Sequence, residues 1–185
     1  MGCFDRLFGA GNGNIGSGKY LIDICDDCFY INGKKLEVPI HINTLKAVLG
    51  EPRKKYFRTN KEDREFLEEY NREQITKRVN YFWDGLGLMC YTNNGEVVNC
   101  FGIVFRHGDF DLSVQPKGLY KGVVTINGNP WFDVIKSGED CEFYMEKRVG
   151  FYKLTAEYAD FNLPADERTE ESFNGIEIQL DNGRR

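Results

Sequence analysis

Gly11-Asn12-Gly13-Asn14-Ile15-Gly16 has the G-x-G-x-x-G spacing of a dinucleotide loop, and Gly13 to Lys19 fills the G-x-x-x-x-G-K positions of a phosphate loop. Both motifs hold phosphate only where a strand delivers the glycines and a helix N-terminus receives the anion. Here about ten residues precede the glycines, a β-rich segment follows, and Tyr20 stands where a Ser or Thr hydroxyl would meet Mg²⁺. Gly9 to Gly18 therefore reads as a flexible linker.

Cys25-x-x-Cys28 has the spacing of half a zinc knuckle or a redox pair. Zinc needs two further thiolate or imidazole ligands, and no second C-x-x-C or H-x-x-x-H occurs. A redox pair needs its first thiol at a helix N-terminus to lower its pKa. This pair flanks Asp26-Asp27, so it reads as two structural cysteines across a hairpin turn. The two histidines, His41 and His107, lie near no G-x-S-x-G elbow. No enzyme activity, cofactor or metal is expected.

Charge offers more. The formal net charge is −5, which repels nucleic acid and attracts basic partners. Arg53-Lys54-Lys55-Tyr56-Phe57-Arg58 mixes basic and aromatic residues as a nucleic-acid surface does, but an acidic stretch follows it and intrachain pairing accounts for it. No nucleic-acid partner is expected. The candidate partner-binding residues are carboxylates in two places: Glu65, Glu68 and Glu69 in the charged stretch, and Asp160, Asp166, Glu167, Glu170 and Glu171 near the end.

These groups need a scaffold. With 41% hydrophobic and 14% aromatic residues the composition is that of a globular chain, and its Phe and Tyr favour strands. No run of 18 apolar residues is present, so no membrane span is expected. Residues 1–10 lack the long apolar run of a secretory signal, and Arg6 departs from the myristoylation pattern begun by Met1-Gly2. The six cysteines, several of them in apolar runs, read as reduced core thiols, and the expected location is cytoplasmic.

Leu21–Cys25, Cys28–Ile31 and Lys34–Val38 read as strands, with Asn32-Gly33 as a type I′ turn. Pro39–Leu49 reads as a helix capped by Asn43 and stopped by Gly50 and Pro52. Residues 61–79 read as an inserted, charged helix. Tyr81–Trp83, Leu86–Tyr91 and Glu96–Phe105 follow as strands, with Asn94-Gly95 turning the last pair so that Met89 faces Cys100 and Cys90 faces Asn99. Tyr120–Ile126 is a strand, Asn127-Gly128 a turn, and Pro130–Ser137 a helix capped by Asn129. Cys141–Met145, Phe151–Tyr158 and Phe173–Leu180 complete the strands around an acidic loop, Asp160–Glu171. Trp83 and Trp131 are assigned to the core.

Phe29-Tyr30-Ile31-Asn32-Gly33 echoes Val124-Thr125-Ile126-Asn127-Gly128, each before a short helix and three strands. The predicted class is α+β: antiparallel sheet in two similar halves, each with a short helix, plus the inserted helix. The predicted division is a flexible segment 1–18, a first half 19–106 and a second half 119–181.

Leu45-Lys46-Ala47-Val48-Leu49-Gly50-Glu51-Pro52, Tyr81-Phe82-Trp83-Asp84-Gly85-Leu86-Gly87-Leu88 and Glu96-Val97-Val98-Asn99-Cys100-Phe101-Gly102-Ile103 together resemble the helix–sheet module of β-lactamase-inhibitor-like and SmpA-type proteins. There a helix closes on L-G-x-P and a W-x-x-x-G strand opens an antiparallel meander. In general character the chain also resembles small bacterial toxin-immunity proteins. Both resemblances imply a non-catalytic, protein-binding role toward a toxin or similar basic protein. The alternative is a structural or accessory domain that self-associates as a homo-oligomer.

Overall fold

The computed structural model describes residues 20–57, 78–93, 95–108 and 112–180. Among these residues thirteen strands fall in two sheets. They are β1 (Leu21–Ile24), β2 (Cys28–Ile31), β3 (Lys34–Glu37), β4 (Arg53–Phe57), β5 (Arg78–Trp83), β6 (Leu88–Thr92), β7 (Val98–Val104), β8 (Val123–Ile126), β9 (Asn129–Pro130), β10 (Glu139–Asp140), β11 (Tyr144–Val149), β12 (Tyr152–Tyr158) and β13 (Phe173–Leu180). Among the described residues two α-helices, α1 (Ile42–Leu49) and α2 (Trp131–Ile135), and three short 3-10 turns accompany them.

The predicted α+β balance is wrong. Strands take 48% of the described residues and helix 16%, so the fold is β-rich. Both short helices are briefer than expected: α1 starts at Ile42 rather than Pro39, and α2 spans Trp131–Ile135 rather than Pro130–Ser137. Arg53–Phe57, given no element in the sequence reading, is an edge strand, and Arg78 and Val79 of the expected helix belong to β5. The rest of the expected helix 61–79 lies outside the described residues, as do the segment 1–18 and both glycine motifs up to Lys19.

The small sheet has the order β3-β2-β1-β8-β9 and the large one β10-β11-β12-β13-β7-β6-β5-β4. Both draw strands from both parts of the chain. Two four-strand meanders, β4–β7 and β10–β13, join through the antiparallel β7–β13 pair. The two hairpins join through β1, which runs parallel to β8 with Ile22 opposite Val124. Both Asn-Gly turns have the left-handed backbone a type I′ turn needs: Asn32 and Asn127 at φ 51°, Gly33 at 78° and Gly128 at 76°. Buried Asp23 fastens the parallel junction, accepting from Thr125 Oγ1 at 2.6 Å and Gly128 N at 3.3 Å.

One apolar core lies between the sheets. Ile22, Ile24, Phe29, Ile31 and Val124 enter it from the small sheet; Phe101, Ile103, Tyr152, Leu154, Ile176 and Ile178 enter from the large one. Phe29 meets Phe101 edge-on at 5.1 Å across the gap. Period-2 alternation sets this face: Tyr152, Leu154, Ala156 and Tyr158 point in, while Lys153, Thr155 and Glu157 point out.

Trp83 and Trp131 are core residues, as assigned. Trp83 ends β5, and its indole N–H reaches Gly50 O at 2.8 Å, beyond α1. Neither helix is capped by a side chain: His41 precedes α1 and Pro130 precedes α2, in place of the expected Asn43 and Asn129. The β6–β7 register also differs from the expected one. Residues 93–97 make a longer connection than a two-residue turn, and a bulge between Tyr91 and Thr92 leaves Cys90 opposite Phe101 and Met89 opposite Gly102. The Asn99 side chain accepts from Asn93 N at 2.7 Å inside that connection. The second predicted strand of the second half starts late, at Tyr144 rather than Cys141.

Candidate functional site

The registers align the outward side chains of the large sheet in rows. One row runs Tyr144, Glu157, Gly175, Val104. The next runs Glu146, Thr155, Glu177, Gly102, Met89, Phe82, Arg53. At the β4 end this face is covered. Arg53 lies over the fully buried Phe82 ring at 4.3 Å, holds both oxygens of Asp84 at 2.7 and 2.8 Å, and donates to Gln115 O at 2.8 Å. Lys55 reaches Ser113 Oγ at 2.5 Å. Arg53 and Lys55 of the basic cluster are thus turned onto their own chain and strap the loop after β7 to the sheet, while Lys54 and Tyr56 are exposed; Arg58 lies outside the described residues.

Toward β11 the face opens. A cleft of about 370 Å³ is floored by Gly102, Val104 and Gly175 and walled by Gln115 on one side and Phe143 and Tyr144 on the other. The Met89 side chain folds over Gly102, where an added Cβ would meet its Cγ at 2.8 Å. Glu157 and Glu177 both line the cleft. Glu157 opposes Gly175 and Glu177 opposes Thr155, so the two carboxylates sit on the sheet diagonal, roughly 7–8 Å apart at their Cα atoms. Burial pushes the Glu157 carboxyl above its ordinary range, the charge of Glu177 adds to the rise, and a hydrogen bond with the Asn174 side chain opposes it.

That rise has a sign for stability. An acid whose pKa is higher folded than unfolded stabilises the fold below the ordinary carboxylate value, and loses that contribution as pH climbs through the raised one. Glu157→Gln is therefore more stable than the parent at pH 7, by up to about 2 °C in thermal midpoint, with the gap closing below about pH 4. Melting curves at both pH values check this; a parent more stable than the variant at pH 7 refutes it.

Phe143 borders the cleft, half exposed, and meets the half-exposed Phe161 edge-on at 5.6 Å. Phe161 belongs to the acidic loop, so cleft and loop share one surface. Ala159 N donates to Ser172 O at 2.8 Å, closing the loop at its base. Arg168 is its inner tether: the guanidinium lies 3.9 Å from the Tyr158 ring centre, reaches both oxygens of Asp140 at 2.9 and 3.0 Å, and donates to the Tyr158 hydroxyl at 2.7 Å. The Tyr158 hydroxyl donates in turn to Asp140, and these two bonds hold the Asp140 carboxyl below its usual range.

Of the carboxylates singled out in the sequence, Asp160, Asp166, Glu167, Glu170 and Glu171 all sit in this loop, exposed. Glu170 accepts from the buried Trp131 Nε1 at 2.6 Å and Asp160 from Asn162 N at 2.9 Å. Asp166, Glu167 and Glu171 make no ion pair among the described residues. Glu65, Glu68 and Glu69 lie outside the described residues. Glu157, Glu177, Phe143 and Phe161 were missed. A lone Phe inside the polar stretch 160–171 was the only signal the sequence carried for this site.

Cys25, Cys28, Cys90, Cys100 and Cys141 are free, and burial drives the first four away from thiolate; at Cys25 the nearby Asp23 carboxylate adds to this. His107 Nε2 is bound to Pro116 O at 2.9 Å, and His41 is exposed before α1. Among the described residues no three His, Cys, Asp or Glu gather to hold a metal ion, and no helix is long and apolar enough to cross a membrane.

Comparison with known proteins gives one family. The model described as Domain of unknown function (DUF7738) matches residues 21–140, from β1 to β10. No curated protein and no solved structure matches the chain.

Proposed function

The chain belongs to the DUF7738 family, and we propose that it is a non-catalytic binding protein that captures a basic protein, such as a toxin, and blocks its action. The observation that carries this reading is the Phe143–Phe161 pair. Two large aromatic side chains, each about half exposed at 50% and 54%, stand together between an acidic loop and an acidic cleft. Adjoining exposed aromatics within a polar rim are the usual anchor of a protein interface. The surrounding carboxylates would raise the encounter rate with a cationic surface and make it salt-sensitive. Free cysteines fit the reducing cytoplasm, which is part of the proposal.

Self-association through a sheet edge is the weaker reading. β3 presents Lys34 and the Lys35–Glu37 pair, and β4 presents Lys54, charges that discourage edge-to-edge pairing.

Affinity capture from the source cell, including the products of neighbouring genes, supplies the partner. Against it, Phe143→Ala with Phe161→Ala weakens binding about a hundredfold, mainly through dissociation. Charge reversal at Asp166, Glu167 and Glu171 slows association about tenfold at low salt. Unchanged rates in both variants contradict the proposal.

A further inference from the structure

We infer that the cleft on the open face of the large sheet seats an arginine side chain of the partner, an assignment that rests on the protein-binding reading above. The cleft lies beside the Phe143–Phe161 anchor, so a partner docked there would cover its mouth. Its about 370 Å³ exceeds one side chain's needs, and its floor is backbone and small apolar groups, Gly102, Val104 and Gly175, suited to an aliphatic stem.

The charged groups facing it select the head. Among the described residues, Glu157 and Glu177 line it from β12 and β13 against one cation, Arg106, whose side chain is exposed on the loop wall. Glu146 and Lys153, outward on the neighbouring positions, neutralise each other at 2.5 Å. The balance is one negative charge, which excludes an anionic head and favours a cation. Carboxylates spaced along the sheet diagonal can each take one edge of a planar guanidinium, with its five donors in a rigid fork. Tyr144, opposite Glu157, and Phe143 beside it supply faces for that plane to stack on, which an ammonium uses less well.

The probe is N-acetyl-argininamide, titrated into the full chain and followed by amide chemical shifts. The expected result is a saturable shift of Gly102, Thr155 and Gly175. Binding becomes at least tenfold weaker when the probe is the uncharged citrulline analogue, and at least tenfold weaker in the E157Q/E177Q double variant. Unshifted resonances elsewhere show that this variant is folded. No saturable shift, equal binding of the citrulline or lysine analogue, or shifts confined to residues 160–171 overturns the assignment. Because the probe needs no partner protein, a negative titration removes the arginine seat and leaves docking through Phe143 and Phe161 to its own test. A positive one with unchanged rates in the phenylalanine variants does the reverse.

Discussion

Gly150→Ala lowers folding stability by about 3–4 kcal/mol, which for a chain of this size moves the thermal midpoint down by roughly 10 °C. Gly150 turns the chain between β11 and β12 at φ +51°. A Cβ there would lie 1.8 Å from Asp26 O, 2.3 Å from its carbonyl carbon and 2.4 Å from its Cα. All three are backbone atoms, so no rotamer change relieves the contact. The neighbouring Phe151 N donates to that same Asp26 O at 2.9 Å, pinning the large sheet's hairpin against the β1–β2 turn of the small sheet. Gly95→Ala is the control. Its φ is +83°, but nothing lies within 4 Å of the added carbon, so only the left-handed strain is introduced, costing about 1 kcal/mol. Thermal unfolding of the two variants separates collision from strain. Equal losses would mean that the sheet-to-sheet contact contributes nothing.

Trp131→Ala destabilises by about 3–5 kcal/mol, and it does so at the root of the proposed docking surface. Trp131 is 2% exposed, stacks on Phe105 at 5.2 Å and meets Phe173 edge-on at 5.6 Å, so truncation opens a cavity between α2, the loop after β7 and β13. Its indole N–H is also the inner partner of Glu170. Trp131→Phe keeps most of the packing and loses that bond, a loss of about 1–2 kcal/mol because the acceptor is charged. Hydrogen exchange adds the local readout: Trp131→Phe speeds exchange in residues 159–172 and leaves β12 and β13 unchanged. Acceleration spread evenly over the chain would mean that Glu170 does not hold the loop.

What could be read from the sequence follows how local its cause was. Both Asn-Gly turns, α1, and the strands Tyr152–Tyr158 and Phe173–Leu180 were legible because turn geometry and period-2 alternation are written in consecutive residues. Arg53–Phe57 was illegible as a strand because its partner β5 begins only at Arg78, and a run of Arg, Lys and aromatic residues carries no alternation until that pairing exists. The β6–β7 register was misread because Asn94-Gly95 invites a two-residue turn, whereas the bulge at Tyr91/Thr92 and the His41–Val97 bridge lengthen the connection. The acidic loop was visible as composition. The cleft was not, since Glu157 and Glu177 become neighbours only through the β12–β13 register, and Gly102 meets Glu177 only where the two meanders join.

The most direct measurement of the central claim is a hydrogen-exchange footprint of the chain with and without its stoichiometric partner. Docking on the aromatic–acidic face protects residues 141–146 and 158–171, with protection extending to the cleft strand around Glu177. Protection confined to the β3 or β9 edge of the small sheet, with residues 141–146 and 158–171 unchanged, would contradict it.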